Sequence, residues 1–330
     1  MSMSRRGFIS ALGVTTLSLS AAACSSSDDD GGSGSDGGGR IRFGYIEDYN
    51  GAGLLAIADE QGLWKKHGLT ASIKPFVNGP IQIQALGTGN LDYGYIGPGA
   101  LWLPATGKAK VVAIDTLTFA DRVIARPGIT SITGLKGKKV GVPEGTSGEM
   151  VLNLALKKAG MSMSDIQKVA MDATTIVSAF VSGQIDGAGI WYPTIDTIKE
   201  KVPGLVEVGS TKEIGGNFPT AFVAGTEVKQ ATNEKVVKVL AEANDWRAAH
   251  PEESIAAAAK LLKVSEAKVR SDASHVKTMT TADLVAKTKD GTIAGWLDGM
   301  SDFFVGTGQL KKAPAADSYY TADLFTEAAG

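Results

Sequence analysis

The sequence predicts an α/β protein of two lobes with a ligand cleft between them, and three observations carry that prediction. From residue 41, short runs rich in β-branched and aromatic residues alternate with segments whose apolar residues recur at helical spacing. The alternation restarts after Leu135-Lys136-Gly137-Lys138-Lys139. In the first half, each strand-like run ends in a turn of Gly, Pro or Asn, so the turns fall at one edge of a sheet.

Ile41-Arg42-Phe43-Gly44-Tyr45-Ile46 reads as the first strand. Gly53 to Trp64, with Leu54, Leu55, Ile57, Ala58 and Leu63, reads as a helix, and Ala71 to Val77 as the second strand. Ile81 to Leu86 is helical, Tyr93 to Ile96 a third strand and Val111 to Ile114 a fourth. Strands separated by helices of this length indicate parallel βαβ units. The second half repeats the order: strand Val140 to Val142, helix Met150 to Lys158, strand Val169 to Met171, helix Thr175 to Val181, strand Gly187 to Trp191. After Phe222-Val223-Ala224 the chain turns helical, near 233–249, 251–262 and 292–305, and these helices are expected to pack back onto the first lobe. The expected organisation is 1–24 export signal, 25–39 flexible linker, 40–125 plus 222–330 first lobe and 126–221 second lobe. Extended crossings near 121–127 and 219–225 would join the lobes. One continuous doubly wound domain is the simpler alternative.

The chain has 330 residues with 33 Lys+Arg against 35 Asp+Glu. Arg5, Arg6, Asp28, Asp29, Asp30 and Asp36 fall in the first 39, and the remainder balances. No basic run offers itself to phosphates, so no nucleic-acid partner is expected. Beyond residue 39 there is no apolar run of about 18 residues, the length a membrane-spanning helix needs. The first 24 residues follow the order of a secretory signal: two arginines, a weakly apolar stretch from Phe8 to Leu19, then small residues. Ser4-Arg5-Arg6-Gly7-Phe8-Ile9 resembles the twin-arginine export motif. Ala21-Ala22-Ala23-Cys24 resembles a bacterial lipobox, with Ala21 where such motifs prefer Leu. Cys24 is the one cysteine, so no disulfide is available, and its place at the expected cut favours lipid attachment over an incidental thiol. Residues 25–39, all Ser, Asp and Gly, have no apolar face to bury. A body tethered by lipid at the outer face of the cytoplasmic membrane is the expectation.

Four blocks carry a resemblance: Gly53-Leu54-Leu55-Ala56-Ile57-Ala58 followed by Gly62-Leu63-Trp64-Lys65-Lys66-His67-Gly68-Leu69; Gln84-Ala85-Leu86-Gly87-Thr88-Gly89-Asn90-Leu91-Asp92; Gly134 to Val142; and Gly183-Gln184-Ile185-Asp186-Gly187-Ala188. In order and spacing across 41–225, the chain resembles the bacterial solute-binding proteins of ABC importers for sulfonates, taurine and nitrate, a superfamily that includes thiamine-precursor binders. The resemblance implies a periplasmic-binding-protein-like fold of type II that closes on a small-molecule solute. It also implies delivery to an ABC permease and its ATPase, a monomer, and no cofactor.

The candidate ligand-binding residues lie where strands end. Asp48, Tyr49 and Asn50 follow the first strand, Asn78 the second, and Gly97 and Pro98 the third. In the second lobe Thr146 and Ser147 sit between a strand and a helix, where hydroxyls and free N–H groups suit a sulfonate or carboxylate. No Gly-Lys-Ser/Thr follows, so this is not a phosphate-binding P-loop. Helix capping is the competing role for Thr146 and for the other turn residues. In the resembled family the Thr146–Ser147 loop commonly holds the ligand head group, and Trp191 and Tyr192 lie where an aromatic cleft wall is often found. Packing in the core is the other reading of Trp191. Phe218-Pro219-Thr220 lines the pocket or forms the hinge. No Lys or Arg falls in these loops, whereas the acids Glu47, Asp48 and Glu144 do. An acid facing the cleft would call for a cationic or hydrogen-bond-donating ligand end, while three solvated acids would leave a neutral or anionic one. The residues do not choose between these.

Catalysis finds no apparatus. His67, His250 and His275 stand apart without metal-ligand spacing, and no dinucleotide fingerprint occurs. The function expected is solute binding for import, of an aliphatic sulfonate or taurine-like compound. An enzyme on the same fold, a sensor, and an importer of an amine or heterocycle are the alternatives.

Overall fold

A computed structural model describes residues 39–330. The export signal, Cys24 and the linker up to Asp36 and beyond lie outside the described residues, and Gly39 already opens the first strand.

In chain order the first elements are β1 (Gly39–Ile46), α1 (Tyr49–Glu60), α2 (Leu63–Lys66), β2 (Leu69–Phe76), α3 (Gly79–Gly87), β3 (Tyr93–Ile96), α4 (Trp102–Ala105) and β4 (Lys110–Thr118). Next come β5 (Asp121–Ala125), β6 (Lys139–Val142), α5 (Ser147–Lys158), β7 (Gln167–Ala170), α6 (Ala173–Ser182), β8 (Gly187–Trp191), α7 (Thr194–Lys199), β9 (Val206–Ser210) and α8 (Thr211–Ile214). The chain ends with β10 (Pro219–Ala224), α9 (Gln230–Ala249), α10 (Pro251–Leu262), α11 (Glu266–Ala273), β11 (Val276–Thr278), α12 (Thr281–Lys289), α13 (Thr292–Gly306) and α14 (Ala322–Ala329). Two sheets result, ordered β11-β4-β10-β3-β1-β2 and β7-β6-β8-β5-β9.

In the first sheet β1 pairs in parallel with β2, from Gly39 opposite Leu69 to Ile46 opposite Phe76, and with β3 on its other side. Tyr93 and Tyr95, two residues apart on β3, share a face; Tyr93 stacks on Phe43 at 5.4 Å and Tyr95 meets Phe222 edge-on at 5.6 Å. On the opposite face Gly44 and Gly94 leave room for the buried Gln82 of α3. Its amide closes both hydrogen bonds of Tyr95, accepting from the backbone N at 3.0 Å and donating to the carbonyl at 2.7 Å. That pair fixes the start of α3 against the end of β3.

The crossings expected at 121–127 and 219–225 are themselves strands, which corrects the lobe boundaries 40–125/222–330 and 126–221. β5 lies in the second sheet, antiparallel to β8 and β9, and β10 lies in the first, antiparallel to β3 and β4. The chain therefore changes sheet at Phe119–Ala120 and again between Ser210 and Pro219. Every residue of β5 and β10 is buried, so their apolar runs are sheet interior instead of exposed linkers. The sheets are mixed, because each strand arriving from the other lobe enters antiparallel.

The C-terminal helices do pack on the first lobe. Val236, Val237, Leu240 and Ala243 of α9 join its core, and α10 lies along α1. Arg247 of α9 reaches β4 and donates to Asp115 at 2.7 Å, both side chains buried.

Candidate ligand cleft

Strand ends from both sheets converge on a small cavity at the boundary of the lobes, the place where open α/β folds hold ligands. Three helices begin at its wall, and each start is capped by a residue singled out in the sequence. The Asp48 carboxylate accepts from Gly51 N at 2.7 Å, Asn78 from Ile81 N at 3.0 Å and Thr146 Oγ1 from Gly148 N at 3.2 Å. Capping and cavity lining are thus one arrangement: the cap stands where the strand ends, and the strand ends at the cleft.

Nine of the ten candidates line this cavity: Asp48, Asn50, Asn78, Gly97, Pro98, Thr146, Ser147, Trp191 and Tyr192. Tyr49 does not, and this corrects the sequence reading. Its ring packs on the other side of α1 among Ile255, Ala258, Ala259 and Val269, with its hydroxyl 3.3 Å from Ser254 Oγ. Successive helix residues point about 100° apart, so Tyr49 and Asn50 cannot both face the cleft. Asn50 does; its Oδ1 accepts from the Thr116 hydroxyl at 2.8 Å, which in turn meets Thr220 Oγ1 at 2.9 Å. Thr220 lines the cavity, while Phe218 is buried in the first lobe's core.

Several lining residues were not anticipated, chief among them Tyr95, Thr118 and Asp121. Tyr95 was within reach of the strand alternation. Asp121 was not, because its place depends on β5 entering the second sheet antiparallel to β8.

Close backbone approach sets the geometry on the second-lobe side. A Cβ on Gly189 of β8 would stand 2.2 Å from Gly148 O, so α5 starts directly against the sheet and presents Thr146 and Ser147 at its edge. Across the cleft, a Cβ on Gly99 would stand 2.2 Å from Ser147 N. Trp102 Nε1 donates to Gly145 O at 3.3 Å from the first lobe to the second. On the hinge side Tyr192 stacks on His275 with ring centroids 4.1 Å apart, and the Ser271 hydroxyl donates to Asp196 at 3.0 Å. The lobes are closed on one another.

The electrostatics are one-sided. Glu47 and Glu144 are exposed, and Glu144 pairs with Lys168 at 2.6 Å. Asp48 and Asp121, by contrast, are buried in the cavity wall, and no Lys or Arg among the described residues lines it. Burial raises the Asp48 carboxyl well above its usual range, and Asp272, Asp121 and Asp115 push the same way against the pull of Gly51 N–H. Burial lifts Asp121 to about 6, opposed by the Ser147 hydroxyl and Arg122, and one of its oxygens, Oδ1, has no hydrogen-bond partner. Behind α1, burial lifts Asp272 to about 7 although it accepts from Tyr49 N at 2.6 Å. Arg122 is committed elsewhere: it donates to Glu207 at 2.7 Å and to the Phe119 carbonyl at 2.5 Å. Glu207 also receives Lys199 and the Tyr192 hydroxyl, and despite partial burial these donors hold it down at about 2. No group of three or more His, Cys, Asp or Glu side chains among the described residues is arranged to hold a metal.

A cleft between two mixed α/β lobes, walled by helix starts from both, defines the class of two-lobed periplasmic-binding-protein folds. Residues 50–254 match the family described as NMT1/THI5 like, and the chain belongs to it. A protein of Brucella abortus (strain 2308), named only as a binding protein, is 54% identical over 87% of this chain and 91% of its own length. The taurine-binding periplasmic protein of Escherichia coli (strain K12) is 24% identical over 54% of this chain and 56% of its own. Among solved structures, the periplasmic aliphatic sulphonate binding protein SsuA of Escherichia coli superposes with a TM-score of 0.67 at 22% identity, covering 87% of this chain and 99% of that one.

Proposed function

We propose that this chain is the solute-binding subunit of an ABC importer, which closes on a small organic solute outside the cytoplasm and releases it, chemically unchanged, to a permease driven by its ATPase. The observation that carries the reading is the cavity between the lobes, built from strand ends and helix starts of both sheets, as a receptor that closes on its solute needs. Within this reading the solute is taurine-like. The N-terminus of α5 suits an anionic head, and Asp48 and Asp121 suit an amine beside it. The relatives named for taurine and aliphatic sulfonates support the class. The receptor acts as a monomer, held at the membrane by lipid on Cys24 and exported folded by the twin-arginine route.

A thermal-shift screen of the full chain against taurine, alkanesulfonates, nitrate, amino acids, polyamines and aminopyrimidines tests the receptor reading, since a solute bound by the folded state alone raises the melting temperature. The expected result is a shift with one solute class and quantitative recovery of the solute after denaturation. Turnover of that solute into a product would instead make the protein an enzyme. For the anchor, Cys24→Ala should move the protein from the membrane fraction to the soluble one; retention on membranes in high salt would refute it.

A further inference from the structure

Asp115 is paired with Arg247, and the half-buried Glu207 with Arg122 and Lys199, as carboxylates withdrawn from water ordinarily are. Asp272, behind α1, is buried without a cation, and its Oδ1, like Asp115 Oδ2, has no hydrogen bond. Asp48 and Asp121 have no such partner, yet both line the same closed cavity, and Asp121 Oδ1 is buried there without any hydrogen bond. Neither Arg122 nor Arg247 lines the cavity: Arg122 donates to Glu207, Phe119 O and Asp121 O, and Nη2 of Arg247 to Asp115 and Asn244, so neither guanidinium hydrogen-bonds the Asp48 or Asp121 carboxylate. Trp191 and Tyr192 line the cavity beside them.

Resting on the receptor reading above, we infer that the cleft selects its solute by a protonated nitrogen, held between the carboxylates of Asp48 and Asp121, and rejects sulfonates that lack one. An ammonium or amidinium brings several N–H donors and the missing positive charge into one space, which satisfies Asp121 Oδ1 and offsets the repulsion between the two acids. An alkanesulfonate would add a negative charge to those of Asp48, Asp121 and the nearby Asp272, in a cavity that no Lys or Arg among the described residues lines.

The pH dependence of affinity reads the sign of the ligand's charge. The groups facing Asp121 are the Ser147 hydroxyl, Arg122 and Asp48; those facing Asp48 are Gly51 N–H, Asp272, Asp121 and Asp115. Asp272 in turn faces Tyr49 N–H and Asp196. A cation favours ionised carboxyls and expels their protons, so its affinity rises with pH through about 6, the range in which Asp121 titrates. An anion favours the protonated forms, and its affinity falls over the same range.

The experiment is isothermal titration of the full chain at pH 5.5 and 7.5 with taurine, ethanesulfonate, putrescine and a 4-aminopyrimidine, repeated on Asp121→Asn. At least one nitrogen-bearing probe is expected to bind, more tightly at pH 7.5, and taurine, if it binds, to exceed ethanesulfonate. Asp121→Asn is expected to lose roughly thirtyfold or more in affinity, the range for truncating a buried charge pair, with an unchanged or higher melting temperature showing that it folds. Binding of ethanesulfonate as tight as taurine, or affinity that falls with pH, overturns the cation site and leaves the receptor reading standing. An Asp121→Asn variant that folds and binds normally overturns it too, and silence across the panel overturns both readings.

Discussion

Asp48, Asn78 and Thr146 each do two things, and the double role follows from position. A cap residue sits in extended geometry between a strand and a helix, and in this fold that junction is the cleft wall. Glycine does comparable work by what it lacks. Gly99 of the first lobe approaches Thr146 and Ser147 of the second so closely that a Cβ would stand 2.2 Å from Ser147 N and from Thr146 C. Both obstacles are backbone, so no rotamer relieves the contact and the lobes must part. Gly99→Ala is therefore expected to hold the cleft open. Since an affinity scales with the fraction of molecules able to close, it should fall by on the order of tenfold or more. The clash lies across the cleft and not within a lobe, so the melting temperature without ligand should change little. Small-angle scattering with and without a bound solute checks this: the variant should not contract on adding ligand, and contraction equal to that of the parent would refute the steric argument.

At the scale of elements, what could be read in advance was whatever depends on local pattern. α10 spans 251–262 as its periodicity predicts, β8 spans 187–191, and α13 differs from its predicted end by a single residue. α1 begins four residues earlier than its apolar pattern, at Tyr49, because the Asp48 cap starts a helix that its glycine-rich first turn hides. β5 and β10 were legible as extended but not as sheet members. Being a crossing or an inserted strand is decided by the partner, and the partner is far away in sequence: Ala221 pairs with Ile96 on one side and Ile114 on the other. β11, three residues long and half exposed, carries too few side chains to announce itself. The site divides along the same line. Residues at the ends of locally readable strands fall on the cavity, Thr220 was left between pocket and hinge and Asp121 was missed because long-range pairing places them, and Tyr49 was misplaced because a helix start was set too late to show which way its first residue faces.

For the whole molecule, the unpaired acids of the cleft leave a mark on stability. Asp121 and Asp272, ordinarily near 3.8, titrate at about 6 and about 7 in the folded protein, and Asp48 is displaced the same way. Each is raised by folding, so between pH 4 and 7 the folded state holds protons that the unfolded chain has released. Stability is then fully present below the unfolded value and is lost as pH rises through the folded one. Two other groups bear on the window. Glu207, held at about 2, contributes stability that disappears only on acidification below about 4.5, outside the range. His275, lowered by burial and by Arg122, works in the opposite sense near its ordinary value of 6.5, but it is one group against four, since burial raises Asp115 as well. The net expectation is a ligand-free protein that melts several degrees lower at pH 8 than at pH 5, because a displacement of one unit is worth about 1.4 kcal/mol and a chain of this size shifts by roughly 2–4 °C per kcal/mol. Asp121→Asn should flatten part of that slope, and a saturating cationic solute should flatten more of it by pairing the ionised carboxyls. Differential scanning calorimetry of the full chain across this range decides the matter. A melting temperature that is level or rises toward pH 8 would mean that the cleft carboxyls are satisfied without a ligand, and with that the reason for a cation in the cleft would be gone.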